Sequence, residues 1–513
     1  MILNDVERHV RERPHEPAVI ALDSTGAVTQ ATWAELQGDA ERWAGTLATL
    51  GIRPGEPVAF QLPNRIEFVT LALAILRLGA VCEPLMPIFR ERELEFMLRE
   101  SATRVLIVPS SFRGHDYAAM AHGLRERLPS LHHVVASRPL AVSPGGETCR
   151  DLAPPAPDAI AQLLFTSGST GEPKGVLHRH AVLDRAAAAH IRHFRLRSDD
   201  VVYVPSPLAH QTGFLYGMWI ALALGAPMLL QEVWDAELGF EAMKRHRATF
   251  VQAATPFLAD LVRVAEARGE PPGALRTFVA TGAAIPRELA HAARTILDAE
   301  VGGAWGTTET CLGTAFVPGD PPERAWSTDG RSLEGIEIRV VDDHGAVLSP
   351  GADGNFEVHT ECLFDGYLNR PDFTAEAITD DGFYRTGDLA RIDEDGYLRI
   401  TGRVKDVINR GGEKVPVAEI EQLLHGHPAV RDVAIVAMPD ERLGERACAF
   451  VVLEPDTELD FATMLEYLDR CRVAKPYWPE RLELAQTLPK TPSGKIQKYV
   501  LREEAAQRKA IPT

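Results

Sequence analysis

Residues 166–175 read Thr-Ser-Gly-Ser-Thr-Gly-Glu-Pro-Lys-Gly and follow directly on the apolar run 160–165. An apolar run that stops dead at a glycine-rich polar loop is a buried strand delivering its loop to a sheet edge. Gly168, Gly171 and Gly175 let the backbone bend and come close to a ligand. Exposed N–H groups and the hydroxyls of Thr166, Ser167, Ser169 and Thr170 then surround an anion, and Lys174 adds a point charge suited to phosphate. The pattern is neither G-x-x-x-x-G-K-[ST] nor G-x-G-x-x-G.

The rest of the chain supplies the sheets such a loop requires. Residues 32–49 carry apolar positions at helical spacing, ended by Gly51 and turned by Pro54-Gly55. Strands are expected at 58–62, 105–108 and 133–136, with a helix at 67–78. After the loop the alternation repeats: helix 181–194, strand 201–205, helix 213–224, strand 227–231, helix 239–246, strand 249–253. Strand–helix alternation implies parallel sheets covered by helices. From about 330 short β-runs lie between Gly/Asp turns, at 336–341, 354–359, 389–392 and 397–400, with hairpin turns at 342–345 and 393–396. A last segment of helix 416–425, strands 433–437 and 447–453, helix 460–472 and strand 481–485 forms a small α+β unit. The expected architecture is therefore α/β: a large N-terminal domain, 1–402, of two helix-covered sheets plus a β subdomain at about 330–402; a hinge at 403–405; and a small C-terminal domain, 406–513.

With 72 acidic and 54 basic residues the net charge is −18, which argues against nucleic acid or an anionic membrane as partner. The apolar stretches 69–82 and 217–230 are too short to span a bilayer and read as buried helices. Six cysteines, at 82, 149, 311, 362, 448 and 471, show no C-x-x-C spacing, so reduced thiols and a cytoplasmic setting are expected. The N-terminus has no secretory pattern.

Four further segments carry chemistry. Residues 305–309 read Trp-Gly-Thr-Thr-Glu; on residue type alone Glu309 is either a solvated loop carboxylate or the single carboxylate that Mg²⁺ takes beside phosphate oxygens. Residues 384–389 read Tyr-Arg-Thr-Gly-Asp-Leu, in which Asp388 suits a turn as well as a vicinal diol. Residues 402–421 begin Gly-Arg-Val-Lys-Asp, and residues 489–497 read Pro-Lys-Thr-Pro-Ser-Gly-Lys-Ile-Gln, where Lys495 reads first as a surface charge.

Together with the loop at 166–175, these segments resemble, in order, the motifs of the adenylate-forming superfamily: acyl-CoA synthetases, peptide-synthetase adenylation domains and luciferases. The resemblance runs from about residue 30 to 500 and is nearest to free-standing AMP-forming acyl-CoA ligases. It implies that Thr166–Gly171 and Lys174 cradle phosphates. Thr308 and Glu309 would meet the α-phosphate and Mg²⁺, with Glu309 the metal ligand. Trp305, Gly306 and Thr307 would lie on the adenine side, with Gly282 and Ala283. Asp388 and Arg403 would hold the ribose, Lys405 would pivot, Gly411 and Gly412 would line a thiol tunnel, and Lys495 would bridge carboxylate and α-phosphate. His210, in Pro-Ser-Pro-Leu-Ala-His-Gln-Thr-Gly-Phe, matches a gating position at the acyl pocket; a purely structural histidine is the other reading. The implied reaction uses ATP, Mg²⁺ and coenzyme A on a carboxylic acid, in a monomer or homodimer. Trp305 stands where tyrosine is usual, and Asn355 and Thr360 where Glu and Gly are usual. Gln211, where amino-acid-activating domains carry an Asp, argues against an amino-acid substrate. The expected pocket residues His210, Phe214, Phe257, Gly282, Ala283 and Trp305 predict a neutral hydrophobic acid, with Trp305 shortening the pocket. Two other functions fit the residues: an acyl-AMP ligase serving a separate carrier protein, and a non-catalytic nucleotide-binding regulator, against which Lys495 speaks. No carrier segment with a phosphopantetheine-type serine is evident.

Overall fold

The computed structural model describes residues 1–137, 154–166, 173–282, 285, 287–410, 413–440, 442–491 and 495–507. Two large sheets form the N-terminal part. One has seven strands, in the order 366–367, 174–179, 160–166, 81–84, 57–60, 105–109 and 133–137. The other has nine and includes the parallel run 228–231, 202–204, 250–254, 277–281 and 300–307. A single apolar core joins them. It contains Val58, Phe60 and Cys82 of the first sheet, Val204, Phe250 and Val279 of the second, and the helices between. The helix Ile66–Arg77 lies there with every residue from Phe68 to Leu76 buried, so its apolar run is core. The stretch 217–230 is buried but not one helix: it is a helix end, a Gly225 cap and the strand Met228–Gln231, as the expected helix 213–224 and strand 227–231 divide it. No helix among the described residues is long and apolar enough to cross a membrane.

Local signals set these elements. The helix Trp33–Thr49 starts with a capping box: Thr32 Oγ1 accepts from the Glu35 N–H at 3.3 Å, and the Glu35 carboxylate accepts from the Thr32 N–H at 2.9 Å. Residues 211–224 form one helical stretch whose middle, Phe214–Trp219, is π-helical. Its Gly213 backs directly onto a neighbouring loop, where a Cβ would stand 2.3 Å from the Pro207 carbonyl oxygen.

The strand Ile160–Thr166 is followed by an antiparallel partner, Lys174–Arg179, with Lys174 opposite Thr166. This return strand has no counterpart in the sequence reading. The β subdomain is a four-stranded antiparallel sheet, 336–341, 354–360, 384–392 and 398–403. Its last hairpin turns at Asp393, whose Oδ1 accepts the N–H groups of Asp395 and Tyr397. A small C-terminal domain follows, a five-stranded sheet with Val417–His425 and Phe461–Arg470 packed on one face and Lys498–Gln507 on the other.

Candidate active site

The ends of several elements converge on one cavity of about 650 Å³, including its opening to solvent. His210, Gly282, Gly306, Thr307, Thr308 and Lys495 all line it, as does Phe257. Lys495 comes from the small domain. Its loop is pinned by Lys495 N–H to Thr491 Oγ1 at 3.0 Å and by Thr491 N–H to the Lys495 carbonyl at 2.6 Å. The side chain passes over Gly282, where a Cβ would meet Lys495 Cε at 3.4 Å; Gly282 also has φ +86°, a conformation that favours glycine. Burial pushes the Lys495 ammonium down to about 8, and the Arg403 charge pushes the same way, against Asp388 and Glu309.

Glu309 sits after the strand Glu300–Thr307, buried, with Oε1 accepting the Tyr367 hydroxyl at 2.8 Å. The loop is locked twice. Thr307 and Thr310 exchange backbone-to-hydroxyl bonds at 3.3 and 3.2 Å. His178, fully buried and held near 4 by desolvation, is neutral and donates from Nε2 to the Thr308 carbonyl at 2.6 Å. His178 went unrecognised in the sequence, since nothing local links it to a loop 130 residues away. The Lys174 ammonium lies over the rings of Tyr367, 4.7 Å to the centroid, and Phe373, 4.3 Å. Burial lowers its pKa and Glu309 partly restores it. Lys174, Tyr367 and Glu309 are therefore one cluster.

Asp388 is buried, and both its oxygens are engaged. Arg403 lies directly opposite in the cross-strand register and donates from Nε to Oδ1 at 2.9 Å. The Trp305 indole N–H donates to Oδ2 at 2.8 Å. Trp305 packs edge-to-face on Phe356, centroids 4.7 Å apart, and does not line the cavity. The expectation that it shortens the acyl pocket is corrected: its N–H draws the ring toward the buried carboxylate. Phe214, also expected at the pocket, is fully buried against Trp219 in the core, because the π-helical turn faces Tyr216 to the cavity instead. Gln211, Thr212 and Ser206 line it too, so its wall is more polar than the sequence suggested. His210 accepts the Thr212 N–H at Nδ1, 3.2 Å, and desolvation holds it near 4, hence neutral.

Lys405 is exposed in the turn Val404–Asp406. Arg502 of the C-terminal helix clamps that turn, donating to the Lys405 carbonyl at 3.1 Å and pairing with Asp406 at 2.8 Å. Ser167, Gly168, Ser169, Thr170, Gly171, Ala283, Gly411 and Gly412 lie outside the described residues.

Residues 6–368 match the AMP-binding enzyme family, and residues 419–495 match the AMP-binding enzyme C-terminal domain. The chain is an AMP-binding enzyme, an adenylate-forming acid ligase. It is 35% identical to the medium-chain fatty-acid–CoA ligase of Escherichia coli K12, over 98% of this chain and 90% of that one. It is 36% identical to the salicyl-AMP ligase/salicyl-S-ArCP synthetase of Mycobacterium tuberculosis H37Rv, over 92% and 84%. The crystal structure of the anthranilate CoA ligase AuaEII in complex with anthranoyl-AMP superimposes with a TM-score of 0.90 at 26% identity, covering 98% of this chain and 97% of that one.

This AMP-binding enzyme presents no cluster of three or more potential metal ligands among its described residues. A lone buried carboxylate beside a lysine fits a different case, Mg²⁺ arriving with a nucleotide and taking most of its ligands from phosphate and water.

Proposed function

We propose that this enzyme is an AMP-forming acid–CoA ligase for a neutral organic acid. A carboxylate oxygen attacks the α-phosphorus of MgATP and pyrophosphate leaves. The coenzyme A thiol, giving up its proton, then attacks the acyl carbonyl, and AMP leaves. Lys495 stabilises the charge shared by carboxylate and α-phosphate, Lys174 and the 166–171 loop bind phosphates, Glu309 would hold the Mg²⁺ that screens phosphate charge, and Asp388 with Arg403 accepts the ribose. Catalysis is alignment plus preplaced charge. For the second step the 403–405 segment would rotate the small domain, withdrawing Lys495 and bringing Gly411 and Gly412 to the thiol path.

The observation that carries this reading is Lys495: a half-buried lysine from the small domain, in one cavity with His210 and the Thr307–Thr308 loop. The likeness to a CoA ligase over nearly the whole chain supports CoA as acceptor. A comparable identity to an enzyme named as a salicyl-S-ArCP synthetase, over somewhat less of each chain, supports a second reading, transfer to a carrier or partner enzyme. Incubation with acid, ATP and CoA separates them. Acyl-CoA is expected; acyl-AMP accumulating with CoA untouched would favour the carrier reading.

A further inference from the structure

Three buried polar side chains, one in the inner wall of the acyl cavity and two packed behind it, have no good hydrogen-bond partner among the described residues. Gln211 lines the cavity and is 3% exposed; its Oε1 has no donor, and its Nε2 reaches only Cys311 Sγ at 3.8 Å. Tyr216 lines the cavity five residues on, brought to the same wall by the π-helical turn. The His190 ring stacks on Tyr216, centroids 5.2 Å apart and 15° from parallel, with neither nitrogen bonded. Gln252 is buried in the strand Phe250–Ala254 with both amide atoms unbonded. Strand alternation puts it on the face of Phe250, which touches His190 at 5.8 Å, and of Ala254, which lines the cavity.

Leaving such a group without a partner is costly, and folded proteins keep few of them. A cavity meant for plain hydrocarbon would be walled by leucine or phenylalanine at no such cost. The wall is also uncharged. Burial drives His190 well below and Tyr216 well above their ordinary pKa values, so both are neutral. Among the described lining residues the only charged side chain is Lys495, which the adenylation chemistry uses. An ammonium or a second carboxylate on the substrate would find no counter-charge there, and the missing partner must itself be neutral.

We propose that the cavity selects an acid whose carbon skeleton carries a neutral hydrogen-bond donor, a hydroxyl or arylamine, that donates to Gln211 Oε1, with Tyr216 as its second partner. This rests on the adenylation reading above and specifies its acid.

The test measures kcat/KM for pyrophosphate release with benzoate and octanoate against the hydroxybenzoates and aminobenzoates, in wild type, Gln211→Leu and Tyr216→Phe, with melting temperatures to confirm folding. At least one donor-bearing acid is expected to exceed both plain acids about tenfold or more, and Gln211→Leu should cut that ratio by up to about tenfold, the worth of one hydrogen bond. Tyr216→Phe, which keeps the ring, should cut it in the same direction. Plain acids used as well as every donor-bearing one would overturn the proposal and leave adenylation standing, as would a preference that both variants retain. No pyrophosphate from any acid would remove the adenylation reading and this proposal with it.

Discussion

Asp388 shows how the site is built residue by residue. A buried carboxylate needs partners, and it has one from each side: Arg403 across the hairpin and Trp305 from the neighbouring sheet. Both partners were legible as motif positions, but the Trp305–Asp388 bond joins residues 83 apart and has no local signature. Replacing Trp305 with Phe keeps the packing on Phe356 and deletes the donor. A buried oxygen losing its partner costs about 1–3 kcal/mol, so KM for ATP should rise roughly tenfold while the acid dependence changes little; an unchanged KM would mean the ribose contact lies elsewhere. Lys495→Ala should lower acyl-AMP formation by at least about a hundredfold, as for other preplaced charge stabilisers, and spare thioester formation from supplied acyl-AMP. Equal loss of both steps would contradict the assigned role. The acting form of Lys495 is its cation, present below its pKa and lost above. Because burial brings that pKa to about 8, kcat/KM for pyrophosphate release should fall as pH rises through 8, and a profile flat across that region would exclude it.

At the level of elements, the strand–helix alternation and the antiparallel sheet beyond 330 were readable because their hydrophobic periods are clear. The antiparallel strand Lys174–Arg179 was not, since six residues of mixed character next to a helix start give no period. Nor was the π-helical turn, because every residue of Phe214–Trp219 is buried and amphipathicity vanishes. The cavity's polar wall stayed hidden for the same reason: Gln211 and Tyr216 are ordinary residues until packing turns them to the cavity and leaves Gln211 Oε1 without a donor. Arg502 reaches across to the turn Val404–Asp406, donating to the Lys405 carbonyl and pairing with Asp406, a contact that a rotating segment has to release. Lys405→Pro fixes φ in that turn. Acyl-AMP formation should persist and transfer to thiol should drop sharply; undiminished acyl-CoA output would show the turn is no pivot.

The whole molecule divides its apolar contacts unevenly. One core unites both large sheets, drawing residues from Ile2 to Leu398. The small domain has its own two clusters, built entirely from residues between Ile408 and Ala505. The lysine of the proposed mechanism thus belongs to a part of the chain with apolar cores of its own. Separate cores melt as separate cooperative units. A calorimetric scan should therefore resolve two heat absorptions, the smaller belonging to the C-terminal part. A stable acyl-adenylate mimic, gripped from both sides, should raise both and draw them together. In that state warmth would have to break the bridge before it could melt either bank.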